Sequence, residues 1–252
     1  MNRVESMANR IAFFWVGDDI STPEYLVKSI RLTCGEGIEV IQLTDITTPA
    51  VPGVTNVMRN SLSEYIMVAR LQAYSQLRLT KDFTYFCDAD SIFINPLQIE
   101  SSYNVLLSPR VETHKINPHY PEHYPEFEGK TTMEVMPFLF GAMAVRGENN
   151  IFNGLLRKCL KLPLRFHRWY GDQVALAKAV GAGNFIYGHL DPSIYLKIIT
   201  TAPSIIELKQ LISENVQMVT FKGPSVNKIS NLAHTFEALK ALHASDMLNR
   251  MK

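Results

Sequence analysis

Cysteine is scarce in this sequence: Cys34, Cys87 and Cys159 are the only ones in 252 residues, an odd number, widely spaced and without a Cys-x-x-Cys pair. That argues against a disulfide framework or a cysteine zinc site and for a reducing compartment. Long hydrophobic runs are missing too. None approaches the roughly 18 apolar residues of a membrane span, and the polar stretch Met1 to Arg10 does not read as a secretory signal. The chain is expected to be cytoplasmic. Net charge is nearly absent, at a formal +1, so there is no bulk field for nucleic acid. Repeats and low-complexity tracts are absent as well. What remains is 46% apolar and 19% charged residues, the balance of a soluble globular chain long enough to bury one substantial core.

Ile11-Ala12-Phe13-Phe14-Trp15-Val16 is a short continuous apolar run, as in a strand covered on both faces. After Gly17-Asp18-Asp19, Thr22-Pro23-Glu24 supplies an N-cap, a first-turn proline and an early acid. The predicted helix points Tyr25, Leu26, Ser29, Ile30 and Thr33 to one side and stops at Gly35, before a second strand over Ile38 to Leu43. This βαβ opening predicts an α/β domain with a mostly parallel central sheet flanked by helices. Pro49 to Asn60 reads as a turn-rich connector, and Ser61-Leu62-Ser63-Glu64 as a capping box opening a helix to about Leu79, with Leu62, Ile66, Ala69, Ala73 and Leu77 inward. Further on come a strand over Phe138 to Val145, helices over Ile151 to Leu162 and Asp172 to Val180, a strand over Val216 to Phe221 and a final amphipathic helix carrying Leu232, Phe236, Leu239 and Leu242. Ser108 to Pro137, rich in proline, histidine and tyrosine without clear period, reads as a functional loop.

The most informative stretch is Tyr85-Phe86-Cys87-Asp88-Ala89-Asp90-Ser91-Ile92-Phe93-Ile94-Asn95-Pro96, where two carboxylates interrupt an otherwise apolar, β-prone run. Buried unpaired carboxylates cost several kcal/mol, about 2–7 or more, or take up a proton. A cation is the usual remedy, and oxygen ligands suit Mg²⁺ or Mn²⁺ with positions left open for phosphate oxygens. The expectation is a divalent metal held by Asp88 and Asp90 to grip a diphosphate; a solvated strand-end turn is the plainer alternative.

Arg70 ahead of this strand, then Tyr85 to Asp90 with Asn95-Pro96-Leu97, resembles the donor-binding core of the GT-A glycosyltransferases, nearest to glycosyltransferase family 8 and the related DXD sugar transferases of family 32. Phe140-Gly141-Ala142-Met143, Gly171-Asp172-Gln173 and Thr220-Phe221-Lys222-Gly223 follow in the family's order, so the likeness runs from about Ile11 to Lys228. It implies a single Rossmann-like domain over residues 1–252, with a donor half at about 11–107, an acceptor or closing half at about 108–229 and a C-terminal helix at about 230–252. It also implies a metal-dependent glycosyltransferase, using Mn²⁺ or Mg²⁺ at Asp88 and Asp90 and moving a hexose from a nucleotide-diphosphate sugar to a glycan or lipid-linked acceptor, as in polysaccharide biosynthesis. Asp172 and Gln173 would lie at the transferred sugar. Arg70 and Asp88 would contact the donor, as would Lys222, Gly223 and Lys228 near the diphosphate, with the lysine roles assigned by position rather than motif. Two departures stand out: Thr220 occupies the place of the family's metal-binding histidine, and Val226 that of its late lysine.

The residues leave alternatives open. Asp18 and Asp19, beyond the first strand's carboxyl end, are candidates for the donor's base and ribose, or for a plain turn. Arg70 would otherwise pair with Glu64 or Asp82, and Asp172 would otherwise be an N-cap. Gln173 is no credible nucleophile, so retention by front-face attack is favoured over double displacement, which needs a carboxylate. His114, His119 and His123 are separated by prolines and do not suggest zinc. Tyr120, Tyr124 and Phe127 are expected in an acceptor lid, or packed on themselves. Rival functions are a haloacid-dehalogenase-like phosphohydrolase with Asp88 as nucleophile and Asp90 as acid, or a non-catalytic sugar- or nucleotide-binding relative. Nucleic acid is not an expected partner. The sequence leaves oligomeric state, and peripheral membrane contact by the last helix, open.

Overall fold

The structure, a computed structural model, describes residues 10–111, 113–148, 151–222 and 227–250, with side chains to residue 245. Its strands are β1 (Arg10–Phe14), β2 (Glu39–Thr44), β3 (Asn56–Arg59), β4 (Thr84–Cys87), β5 (Ser91–Phe93), β6 (Val105–Pro109), β7 (Phe138–Val145), β8 (Gly188–His189), β9 (Lys197–Ile199) and β10 (Met218–Phe221). The helices are α1 (Ser21–Cys34), α2 (Ile66–Gln76), α3 (Thr132–Val135), α4 (Ile151–Cys159), α5 (Leu164–Arg168), α6 (Gly171–Gly181), α7 (Pro192–Tyr195), α8 (Ile205–Ser213) and α9 (Lys228–Arg250).

The main sheet has the order β3-β2-β1-β4-β7-β6-β8. β3, β2, β1 and β4 pair in parallel, with Arg10 facing both Glu39 and Thr84. β7 alone runs backwards, antiparallel to both β4 and β6, and β8 is again parallel to β6. The expected α/β sheet, mostly parallel and flanked by helices, is therefore present, with one reversed strand that the sequence pattern did not reveal. A second sheet, β5-β10-β9, joins β10 antiparallel to β5 and parallel to β9.

Alternation along β1 explains the layers: Ala12 and Phe14 face one side, Ile11 and Phe13 the other. The first side packs on Val68, Leu71 and Tyr74 of α2, Phe152 and Leu155 of α4, and Leu176 of α6. The second packs on Leu26, Val27 and Ile30 of α1. Each such side chain contributes about 1.5–3 kcal/mol through burial. Leu208 of α8 with Leu232 and Leu239 of α9 close a smaller core over the second sheet.

Several local expectations are corrected. α1 begins at Ser21, whose N–H is accepted by Asp19 Oδ1 at 2.9 Å, so Thr22 is inside the helix rather than its cap. α2 starts at Ile66 rather than Ser61. Ser63 instead accepts from the Tyr65 N–H (3.1 Å) and donates its own N–H to Gln72 (2.8 Å), so this turn uses the serine locally. The capping box forms instead at Thr131/Glu134 and Ser204/Glu207. The Pro49–Asn60 connector contains β3, a short edge strand too exposed to show an apolar pattern. The Ser108–Pro137 loop holds the end of β6, a 3₁₀ turn at Pro125–Phe127, and α3.

Candidate functional site

β4 ends at Cys87, and the chain then leaves the main sheet to enter the second one at Ser91, which pairs with Thr220. Asp88 and Asp90 occupy this crossing. Because β1, β4 and β6 point the same way, the residues just past them (Trp15, Asp88 and Arg110) gather at one edge of the sheet, where α/β proteins place ligands. There a cavity of about 600 Å³ is lined by Arg70, Asp88, Asp90, Gln173, Lys222 and Lys228 among others.

Arg70 is the hub. It rises from α2 with its guanidinium 4.7 Å above the Phe140 ring. That ring is held in a cluster in which Tyr74 and Phe86 lie 4.8 Å apart and Phe86 and Phe152 4.6 Å apart. From this platform Nη1 donates to Asp88 Oδ1 at 3.1 Å, and Nη2 pairs with Asp172. Neither Glu64 nor Asp82, the surface partners considered from sequence, is its partner.

Asp172 is fully buried. It lies in the first turn of α6, which Tyr170 precedes in a left-handed conformation (φ 66°), so Asp172 is not the N-cap. Its Oδ1 accepts from the Gln173 N–H at 2.7 Å. Gln173 reaches the cavity, and its Oε1 accepts from Arg110 Nη2 at 2.8 Å; Arg110 Nε is anchored on the Met136 carbonyl at 2.9 Å. Sequence reasoning missed Arg110, although a lone arginine directly after β6 was the available signal.

Asp88 Oδ2 accepts from Lys222 Nζ at 3.3 Å, and the same ammonium lies 3.6 Å from Asp90 Oδ2. Lys228 Nζ is 2.5 Å from Asp90 Oδ2, and the Thr220 hydroxyl donates to the Asp90 carbonyl (3.2 Å) and Oδ1 (3.4 Å). Burial alone would push the Asp88 carboxyl up, but the charges of Lys222 and Arg70 outweigh it and hold it below the ordinary carboxylate range. Burial would likewise weaken the Lys222 ammonium, yet Asp88 and Asp90 outweigh this and keep it above the ordinary lysine range.

A divalent ion at Asp88 and Asp90 needs free carboxylate lone pairs and further donors. Here three of the four carboxylate oxygens of the pair already accept from a cation, and the fourth, Asp90 Oδ1, has only the longer branch of the Thr220 hydroxyl contact. Among the described residues no group of three or more His, Cys, Asp or Glu side chains is placed to hold a metal. As they stand, these side chains do not fit a resident divalent ion: the ammonium of Lys222 lies against both carboxylates.

Other candidates lie apart. Asp18 and Asp19 are exposed and outside the cavity lining; the Asp19 carboxylate accepts from the Ser21 N–H at 2.9 Å and its carbonyl from Trp15 Nε1–H at 3.0 Å, as in a plain turn. Gly223 and Val226 lie outside the described residues. His119 and His123 stack 5.0 Å apart while His114 lines the cavity, so the three do not converge. Tyr124 and Phe127, expected in an acceptor lid, are fully buried with Phe166 in their own cluster, because the 3₁₀ turn folds them inward. The aromatic residues at the cavity are Trp15, Trp169, Tyr170 and Phe14 with Phe140. No helix among the described residues is long and apolar enough to cross a membrane.

No family model matches the chain, and no curated protein matches it in sequence. Among solved structures it is similar to apo WbbM, a bifunctional glycosyltransferase, with a TM-score of 0.54 and 12% identity over 95% of this chain and 52% of that one. The chain thus spans about half the length of WbbM. At this identity the likeness is one of fold: an α/β fold with a mixed, mostly parallel central sheet flanked by helices, glycosyltransferase-like in architecture.

Proposed function

We propose that the chain is a glycosyltransferase of the GT-A kind, which takes a hexose from a nucleotide-diphosphate sugar and passes it to a glycan or lipid-linked acceptor. The observation that carries this reading is the convergence of Arg70, Lys222 and Lys228 on one cavity at the carboxyl ends of β1 and β4. With Arg110, four cations face the three carboxylates Asp88, Asp90 and Asp172, an excess of positive charge that suits a diphosphate.

In such a transfer the bond from C1 to the phosphate oxygen breaks and its electron pair leaves on the diphosphate. The acceptor hydroxyl oxygen bonds to C1, and its proton goes to the departing phosphate oxygen. Fixed cations aimed at that developing charge lower the barrier; a single preorganised donor is worth about 10²–10³ in rate. Double displacement would need a free carboxylate at the sugar's far face. Asp172 is buried and held by Arg70 and the Gln173 N–H, which leaves Gln173 as the group facing the cavity. Front-face transfer with retention agrees with that arrangement.

The phosphohydrolase reading asks Asp88 to attack phosphorus. Both of its oxygens accept from cations, and its carboxyl is wedged against Gly141, a poor stance for in-line attack. The deciding experiment incubates the protein with UDP- and GDP-hexoses and measures free UDP and GDP, with p-nitrophenyl phosphate as a control. Nucleotide release that Arg70→Lys, a charge-keeping change beside Asp172, abolishes in a chain whose thermal unfolding still matches the native protein supports the reading. Turnover of the phosphate ester alone, abolished by Asp88→Asn, would replace it with the hydrolase. Nucleotide binding without release under any acceptor would favour the non-catalytic relative.

A further inference from the structure

The cation at the Asp88/Asp90 pair is part of the chain. Lys222 Nζ lies 3.3 Å from Asp88 and 3.6 Å from Asp90, bridging the two carboxylates as a bound ion would. Lys228 adds a second ammonium 2.5 Å from Asp90. The placement is built into the fold. β10 is locked to β5 by the Thr220–Ser91 pairing, and the Lys222 N–H is anchored on the Ile199 carbonyl at 3.1 Å. That leaves the Lys222 side chain directed at the crossing between β4 and β5, where both aspartates sit. Thr220, at the position where a third metal ligand would be sought, is committed to Asp90 through its hydroxyl.

Resting on the glycosyltransferase reading, we propose that Lys222, assisted by Lys228, does the work of the divalent ion, so that the donor's diphosphate binds without metal. Two ammoniums together carry the charge of one Mg²⁺ or Mn²⁺, but as hydrogen-bond donors rather than Lewis acids. Asp88 and Asp90 then serve as positioning residues: they keep two like charges close together at the cavity and aim them at the phosphates. When a diphosphate enters, the ammoniums shift from carboxylate to phosphate oxygens, while Arg70 continues to hold Asp88. A lysine is a compact point charge with three donors, well suited to this exchange.

The test is calorimetric titration of UDP and GDP into the full chain in EDTA and again in Mn²⁺. The expected result is binding of one nucleotide in EDTA, with an affinity that Mn²⁺ changes by no more than about twofold. Lys222→Met should weaken that binding by about tenfold or more in EDTA, while Lys222→Arg, which keeps the charge, retains most of it. Matching thermal unfolding of both variants and the native chain guards against a folding defect. Binding seen only with Mn²⁺ and abolished by Asp90→Asn would overturn the inference, restoring the divalent ion and leaving the glycosyltransferase reading intact. Unchanged binding by Lys222→Met would also overturn it. Failure of both nucleotides to bind in either condition would overturn the inference together with the reading beneath it.

Discussion

Gly141 lies so close to Asp88 that a Cβ added to it would stand 2.3 Å from the carboxyl carbon and one of its oxygens. The two residues face each other across the β4–β7 border, where Cys87 pairs with Ala142. The missing side chain on β7 is therefore what makes room for a carboxylate at the sheet's edge. Gly141→Ala should push Asp88 out of reach of Arg70 and Lys222 at once. We expect a stability loss of about 1–3 kcal/mol, as for overpacking elsewhere, together with loss of UDP or GDP binding. Thermal unfolding and nucleotide titration of the variant check both halves. Retained binding would mean that Asp88's position is not critical.

Arg70 and Asp172 form a buried pair whose members are unequal in what they leave behind. Removing Arg70 strands a fully buried carboxylate, which should cost about 3–5 kcal/mol. Arg70→Met should therefore be strongly destabilising on its own. Combining it with Asp172→Leu should recover part of the loss, giving a coupling of about 1 kcal/mol or more in a double-mutant cycle. Denaturant unfolding of the two single variants and the double measures this. Strict additivity would show that the pair does not act as a unit.

The acid limb of stability should report Asp88. Its folded value is depressed, first against the opposing effect of burial, by Lys222 and Arg70. A depressed carboxylate contributes stability that is complete above its unfolded value and is lost as pH falls through the folded one. Lys222, raised by the same pair of aspartates, contributes below the unfolded lysine value and loses that contribution as pH rises through its higher folded one. Melting temperature should thus be flat with respect to these groups near neutrality and fall below the ordinary carboxylate range. In Asp88→Asn the acid fall should be shallower than in the native chain. An identical acid limb in both proteins would contradict the assignment.

Gly171 supports the other half of the site. A Cβ there would meet the Phe166 carbonyl oxygen at 2.1 Å and Cys159 Sγ at 2.9 Å, both fixed within packed helices. Gly171→Ala should cost about 3 kcal/mol, the upper end of overpacking, and should shift the start of α6 that carries Asp172 and Gln173. Unfolding by urea provides the measurement, and an undisturbed midpoint would rule the steric argument out.

The elements around Asp88 and Asp90 were legible because their signals are local. β1, α1 and β2 follow from a strand–helix–strand pattern, and β4 from an apolar run broken by two carboxylates. The gathering of Arg70, Asp88 and Gln173 at one cavity is foreshadowed only by the order of the segments that carry the resemblance, and that of Lys222 only by its position, since Arg70 and Asp172 stand 102 positions apart. The reversal of β7 was not legible, because a fully buried strand reads the same in either direction. Nor was the lysine bridge. It depends on β10 returning beside β5, a pairing over about half the chain that no periodicity encodes. The aromatic loop misled for a related reason: composition marked Tyr124 and Phe127 as available rings, while the turn that buries them depends on packing against Phe166.

That packing moves the expected acceptor contact to Trp169. It lines the cavity beside Tyr170, remains 43% exposed, and follows α5 four residues before Gln173 in the chain. A flat, half-exposed indole offers a face for a sugar ring, and a stacked contact of this kind is worth about 1 kcal/mol by analogy with aromatic pairs. With a glycan acceptor in hand, Trp169→Ala should raise the acceptor KM about fivefold while leaving UDP or GDP affinity unchanged. Nucleotide titration and initial rates at varied acceptor concentration separate the two effects. A loss confined to nucleotide affinity would instead put Trp169 on the donor side and leave the acceptor to other lining residues, such as His114 and Thr132.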